Sequence, residues 1–167
     1  MLSTVLVSLD GSELAELALP YAREIVDKSG EIVLLSIVDL PDFPIYTVYP
    51  VPIAAPEPDY NVVVTDMLSK AREYLDHLAN NLRLSGYRVK TVVKAGDPAE
   101  CIIEESQSRG VDAIVMSTHG RSGLSKWLFG SVTQKVLSVM PCPVVVVPGK
   151  YQAEKPKQEK VAEVAES

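Results

Sequence analysis

The sequence predicts an α/β protein, a Rossmann-like three-layer sandwich in which a five-stranded parallel sheet lies between helices on both faces. Three observations carry that prediction. Five short β-branched runs recur: TVLVSL (4–9), IVLLSIVDL (32–40), YRVKTVV (87–93), DAIVMS (112–117) and PVVVV (143–147). Each gap between them has crossover length and contains helical spacing, the alternation that builds parallel sheets. Finally, 167 residues with a hydrophobic fraction of 47% suffice for one domain with one shared core.

Taken in order, TVLVSL reads as a buried strand ending at Asp10-Gly11. Leu14, Leu17, Ala18, Tyr21, Ala22 and Ile25 then fall on one helical face, with Ser12 as N-cap and Gly30 as the stop. Pro20 inside that helix predicts a kink or a weakened turn. After the second strand, the segment 41–60 carries six prolines and reads as an extended surface loop. Helical spacing resumes at Val64, Leu68, Ala71, Leu75, Leu78 and Leu82 and closes near Gly86. The third strand alternates and so exposes one face. Asp97, Pro98 and Glu100 form a strong helix start, and Arg109-Gly110 the matching end. Ser131 with Gln134 reads as a capping box opening a helix over 131–140, which Pro141 ends before the fifth strand. The folded domain is therefore expected over 1–149. The tail 150–167, with four lysines, four glutamates and little apolar content, is read as disordered.

Charge and composition narrow the function. A net charge of −6 disfavours a nucleic-acid or anionic-membrane partner, because both attract basic surfaces. The two cysteines, Cys101 and Cys142, make no CxxC pair, and with only two histidines no metal site is expected. Both cysteines read as small buried apolar groups. The opening MLSTVLVSLDG lacks the features of a secretory peptide, and no apolar run approaches the roughly 20 residues that span a bilayer. The expected compartment is the cytoplasm.

The unusual stretch is STHGRSGLSKWLFGS (117–131), which follows the fourth strand and precedes the last helix. A helix start presents unpaired N–H groups and a partial positive charge, and glycines before it let an anion approach the backbone. Gly120, Gly123 and Gly130 supply room; the N–H groups of Ser131, Val132 and Thr133 and the hydroxyls of Ser131 and Thr133 supply donors. Arg121 and Lys126 make the loop locally basic. The bland alternative is a bent loop whose Ser131 caps its own helix. Neither GxxxxGK[ST] nor GxGxxG after the first strand is present. In a parallel sheet, ligands sit beyond the carboxyl ends of the strands where strand order reverses, so Asp10 and this loop can share one crevice.

Read as G-x2-G-x9-G-[ST], the loop resembles the nucleotide signature of the universal stress protein family, with Gly120 as its second glycine and Gly130-Ser131 as its final pair. LVSLDGSELAELALPYA, VLLSIVDL, AGDPAECIIEESQSRGVDAIVMSTHGRSGL and PCPVVVV are similar to the family as well, so the resemblance covers about residues 2–148. Ser117 stands where the signature has its first glycine.

The resemblance implies strand order 3-2-1-4-5 and an ATP, ADP or AMP ligand, with or without Mg²⁺. Asp10 would contact the adenine, although an Asp before Gly11 also serves as a plain turn residue. Ile37 would meet the adenine edge through its backbone while its side chain packs. Met116 and Ser117 would line the ribose side. Gly120, Gly130, Ser131, Val132 and Thr133 would hold ribose and phosphates. His119 and Arg121 lie inside the signature without a fixed role, and no partner at suitable spacing makes His119 a base. Lys126 reads as solvated, and Trp127 and Phe129 as packing anchors. The implied function is nucleotide-dependent regulation of a stress response through a protein partner, with a homodimer formed through strand 143–147. A non-nucleotide interaction module of the same fold and a slow ATPase are the alternatives; no catalytic residues are expected.

Overall fold

The computed structural model describes residues 1–39, 60–118 and 129–148. Along them run β1 (Leu2–Leu9), α1 (Glu13–Glu16), α2 (Ala18–Ile25), β2 (Val26–Val38), α3 (Tyr60–Leu84), β3 (Arg88–Ala95), α4 (Pro98–Arg109), β4 (Ala113–Ser117), α5 (Ser131–Val139) and β5 (Val144–Val147). All strand pairings are parallel, in the order β3-β2-β1-β4-β5. The proline-rich segment at 41–60, but for its last residue, and the tail at 150–167 lie outside the described residues. Among the described residues no helix is long and apolar enough to cross a membrane.

Alternate residues of each strand face opposite layers. Val5, Val7 and Leu9 of β1, with Ile32, Leu34 and Val115, pack against Ala15, Ala18, Ala22, Leu75, Ala79 and Leu82 of α1, α2 and α3. Leu6, Leu35, Ile114 and Met116 pack on the other face against Ala99 and Ile102 of α4 and Val136 of α5. Both faces of β1 are therefore dry, which explains its unbroken apolar run. Cys101 is buried and Cys142 half-buried, both as free thiols.

The expected break at Pro20 is present. Proline has no N–H to offer the carbonyl of Glu16 four residues earlier. The helix stops at Glu16, the Leu17 N–H reaches back only to the Leu14 carbonyl at 3.3 Å, and α2 begins at Ala18.

Gly30 has a different role from the one expected. The helix ends at Ile25, not at Gly30, and the chain enters β2 at Val26. The pairing with β1 then slips from Leu2↔Val26 to Thr4↔Glu31, so two steps along β1 match five along β2. The extra residues are held by the Asp27 carboxylate, which accepts the Ser29 N–H at 2.9 Å and the Ser29 hydroxyl at 2.7 Å. Gly30 sits inside this bulge, where a Cβ would stand 2.7 Å from the Ser3 carbonyl oxygen and 2.9 Å from Val26 Cγ2.

The start and end of α4 match expectation. The Asp97 carboxylate accepts the Glu100 N–H at 2.8 Å, Pro98 occupies the first turn, and Gly110 ends the helix with φ of 60°. Buried Glu105 fixes the helix to β3 by accepting from Lys94 at 2.9 Å and from Arg109. Burial pushes that carboxyl up, but the bonds from Lys94 and Arg109 outweigh burial and hold it below the usual carboxylate range.

Gly30→Ala is expected to destabilise the protein by about 1–3 kcal/mol, the cost of overpacking a site whose neighbours are backbone. Urea unfolding of the variant checks it.

Candidate functional site

Helices cross from β1 and β2 on one face and toward β4 and β5 on the other, so strand order reverses at β1. A cleft of about 620 Å³ opens there at the carboxyl edge. Its floor is the ends of three strands: Ser8 and Leu9 of β1 with Asp10 and Gly11, Ser36 to Val38 of β2 with Asp39, and Met116 and Ser117 of β4 with Thr118. The start of α5, Gly130 to Thr133, closes one side.

Asp10 is at the cleft and also organises its own turn. Its Oδ1 accepts the Ser12 N–H at 3.0 Å and the Ser12 hydroxyl at 2.6 Å, while Ser12 Oγ accepts the Ala15 N–H at 3.2 Å. Ser12 thus caps α1 as expected, and Gly11 makes the turn with φ of 82°. Ile37 lines the cleft while its side chain packs with the core beneath. Met116 and Ser117 also line it, both buried.

The start of α5 differs from the expected capping box. The N-cap is Gly130, not Ser131, and among the described residues no side chain caps the helix. Ser131 already has a helical position and its side chain is exposed. The reason lies in the strand beside it. The Gly130 N–H bonds the Thr118 carbonyl at 2.8 Å, and a Cβ on Gly130 would stand 3.3 Å from that same oxygen. Close approach to β4 selects glycine at the cap position, which pushes the serine one place into the helix. Among the described residues the N–H groups of Ser131, Val132 and Thr133 have no partner. They carry the positive end of the helix dipole to the cleft.

Thr133 is buried, and its hydroxyl donates to the Ser117 carbonyl at 3.2 Å. Its hydroxyl hydrogen is spent on the protein, so the expected second hydroxyl donor is reduced to the exposed Ser131. Val132 lines the cleft and packs partly into the core. His119, Gly120, Arg121, Gly123, Lys126 and Trp127 lie outside the described residues. Phe129, expected to anchor the loop by packing, is 47% exposed.

Sequence reasoning missed the wall opposite α5. Met67, Lys70, Ala71 and Tyr74 of α3 line the cleft. Helix α3 has 25 residues, about 37 Å at 1.5 Å each, whereas β3 spans about 26 Å. It starts at the carboxyl edge, so its surplus turns stand over the cleft. The excess of helix over strand, about 11 Å or some seven residues, signals the overhang of the first two turns, and the lining residues follow directly after it. Lys70 pairs with Asp66 at 2.7 Å. The Tyr74 hydroxyl donates to Glu16 Oε1 of α1 at 3.1 Å. Burial, then the carboxylates of Glu16 and Asp10, push its ionisation upward, so the phenol keeps its proton. Among the described residues no group of three His, Cys, Asp or Glu side chains forms a metal site.

The family model described as the universal stress protein family matches residues 1–148. The chain belongs to that family. It is 28% identical over 154 residues to universal stress protein MJ0577 of Methanocaldococcus jannaschii, covering 88% of this chain and 95% of that one. The solved structure of MJ0577 superposes with a TM-score of 0.72, over 87% of this chain and 95% of the other. The α/β architecture and strand order of this chain match that structure. Two more distant family structures share the fold. One, from Arabidopsis thaliana, was solved with AMP bound, at 21% identity and TM-score 0.62, covering 93% and 97% of the two chains. The other is a complex with cAMP, at 19% identity and TM-score 0.57, covering 89% and 98%.

Thr133→Val is expected to lower stability by about 1 kcal/mol through loss of the buried bond to Ser117. Thermal unfolding followed by circular dichroism measures it.

Proposed function

We propose that the cleft binds an adenine nucleotide, ATP or its products ADP and AMP, with the phosphates at the start of α5. The observation that carries this reading is the α5 terminus: its first three N–H groups, which have no partner among the described residues, border a cleft of nucleotide-compatible volume and are preceded by a glycine. The two family structures holding AMP and cAMP support the same ligand class. Asp10 and Ile37 are assigned to the base, Met116 and Ser117 to the ribose, and Gly130, Ser131, Val132 and Thr133 to ribose and phosphates. His119, Gly120 and Arg121 complete the proposed signature.

Mg²⁺ fits here as an ion that enters with the phosphates. It keeps several waters and takes phosphate oxygens as ligands; among the described lining residues Asp10, in the middle of the cleft, is the carboxylate nearer α5, whereas Asp39 stands at the β2 end. When bound, it would neutralise phosphate charge.

In this reading the protein is a cytoplasmic regulator that reports nucleotide state to a protein partner. A homodimer through β5 belongs to the same proposal. That strand ends the sheet, and three of its four valines are only half-buried. Just before it, Val139 is 52% and Met140 63% exposed. An open apolar edge is suited to pairing with a copy of itself.

One observation favours a second reading, a non-nucleotide interaction module. Ser117 puts a side chain where the family signature has glycine, and that residue lines the cleft.

Two experiments test the proposal. Calorimetry with ATP and Mg²⁺ is expected to give saturable binding with Kd below about 100 µM, a favourable free energy above about 5 kcal/mol. In Ser131→Asp, an acid at an exposed position of the first helical turn suits the helix dipole, so the fold is retained while the phosphates are repelled and binding falls at least about tenfold. No saturable heat from folded wild-type protein would overturn the nucleotide reading and favour the second. Light scattering is expected to give about twice the 18.2 kDa chain mass, and a mass of one chain would remove the dimer.

A further inference from the structure

The cleft has two chemically different ends. At the α5 end stand Gly130 and the N–H groups of the first turn, which have no partner among the described residues. At the other end, Val38 of β2 and Met67, Ala71 and Tyr74 of α3 line the cleft with apolar surface and a single aromatic ring, with Asp39 and Lys70 at the rim. Because β2 and β4 flank β1, the ends lie about 10 Å apart, twice the spacing between neighbouring strands. That separation suits a ligand with a flat apolar group at one end and an anion at the other.

Tyr74 is the aromatic residue among the described lining residues, and it is held in place. Its hydroxyl donates to Glu16 across the gap between α3 and α1, and its ring packs against the core. A ring fixed in this way loses little conformational freedom when a planar group settles against it. Asp10, the carboxylate assigned to the base, lines the same cleft. Val38 of β2 lines the same end of the cleft.

We infer that Tyr74 is a specificity-determining residue of the cleft, a platform that takes the planar base of the nucleotide, with Glu16 as the positioning residue that holds its hydroxyl. The inference rests on the proposed nucleotide reading and deepens it, because it assigns recognition of the base to α3, outside the glycine loop. Phosphate recognition at α5 is independent of it.

The experiment titrates wild type, Tyr74→Leu and Tyr74→Phe with ATP, adenosine and inorganic tripolyphosphate, after thermal melts confirm that each is folded. In Tyr74→Leu, ATP and adenosine are expected to weaken about tenfold, the scale of one lost base–aromatic stack, with tripolyphosphate unchanged. Tyr74→Phe keeps the ring but frees it from Glu16, and is expected to bind ATP and adenosine between wild type and Tyr74→Leu, about threefold weaker than wild type, with tripolyphosphate unchanged. Loss of ATP and tripolyphosphate alike, or no loss of ATP, overturns the inference while leaving the nucleotide reading standing. No saturable binding of any of the three by wild type overturns both. Should Tyr74→Leu fail to fold, Tyr74→Trp in a Trp127→Phe background reads the same contact. Its emission is expected to change with adenosine and not with tripolyphosphate, and an unchanged emission at saturating ATP overturns the inference.

Discussion

β1 has parallel partners on both sides, and the chain reaches them by crossovers on opposite faces of the sheet. The handedness of such crossovers is fixed, so helices that lead to one side of β1 must cover one face and those that lead to the other side must cover the other. At the carboxyl end of β1 the two sets of helices part, and among the described residues no helix fills the space between them. The cleft follows from that topology before any side chain is chosen. What the sequence then decides is the lining: Asp10 and Gly11 in the middle, α5 on one side and the surplus turns of α3 on the other.

The start of α5 shows how packing and function share one constraint. The Gly130 N–H and the Thr133 hydroxyl both bond carbonyls at the end of β4, those of Thr118 and Ser117. These two bonds aim the helix at the cleft and satisfy strand carbonyls beyond the last ladder bond. A serine at the cap would have satisfied an N–H of the helix itself and blocked the approach to β4. On the flank, Lys135 bonds Asp97 and Glu100 of α4, each at 3.2 Å, and holds the first turns of α4 and α5 side by side. Those pairs are exposed, so each contributes only a little; their value is in orientation.

Elements whose signal is local were legible in the sequence. Asp97, Pro98, Glu100 and Gly110 each act within one turn of their own helix, and α4 begins and ends where they indicate. Pro20 acts on a carbonyl four residues away, and the break falls there. Gly30 and Ser131 misled because their roles are set by a neighbouring strand: the Ser3 carbonyl crowds the first, and the Thr118 carbonyl displaces the second from the cap. The same distinction holds for the site. Asp10 and the residues from Gly130 to Thr133 stand at ends of elements, where a motif can be read. Tyr74 lies in mid-helix at a spacing that reads as core, and no local motif marks that it also borders the cleft.

The break at Pro20 connects these two levels. Because the helix stops at Glu16, α1 is a single turn tied to Asp10 through Ser12, not the first turn of a long helix lying flat on the sheet. Glu16 is its last residue, and from there its carboxylate reaches Tyr74 on α3. Asp10, Ser12, Glu16 and Tyr74 thus form one chain of hydrogen bonds and short connections across the apolar end of the cleft. A proline that weakens one helix thereby separates a capping turn from it. That turn joins the end of the central strand to the far wall, and the geometry of the cleft depends on the separation as much as on the residues that line it.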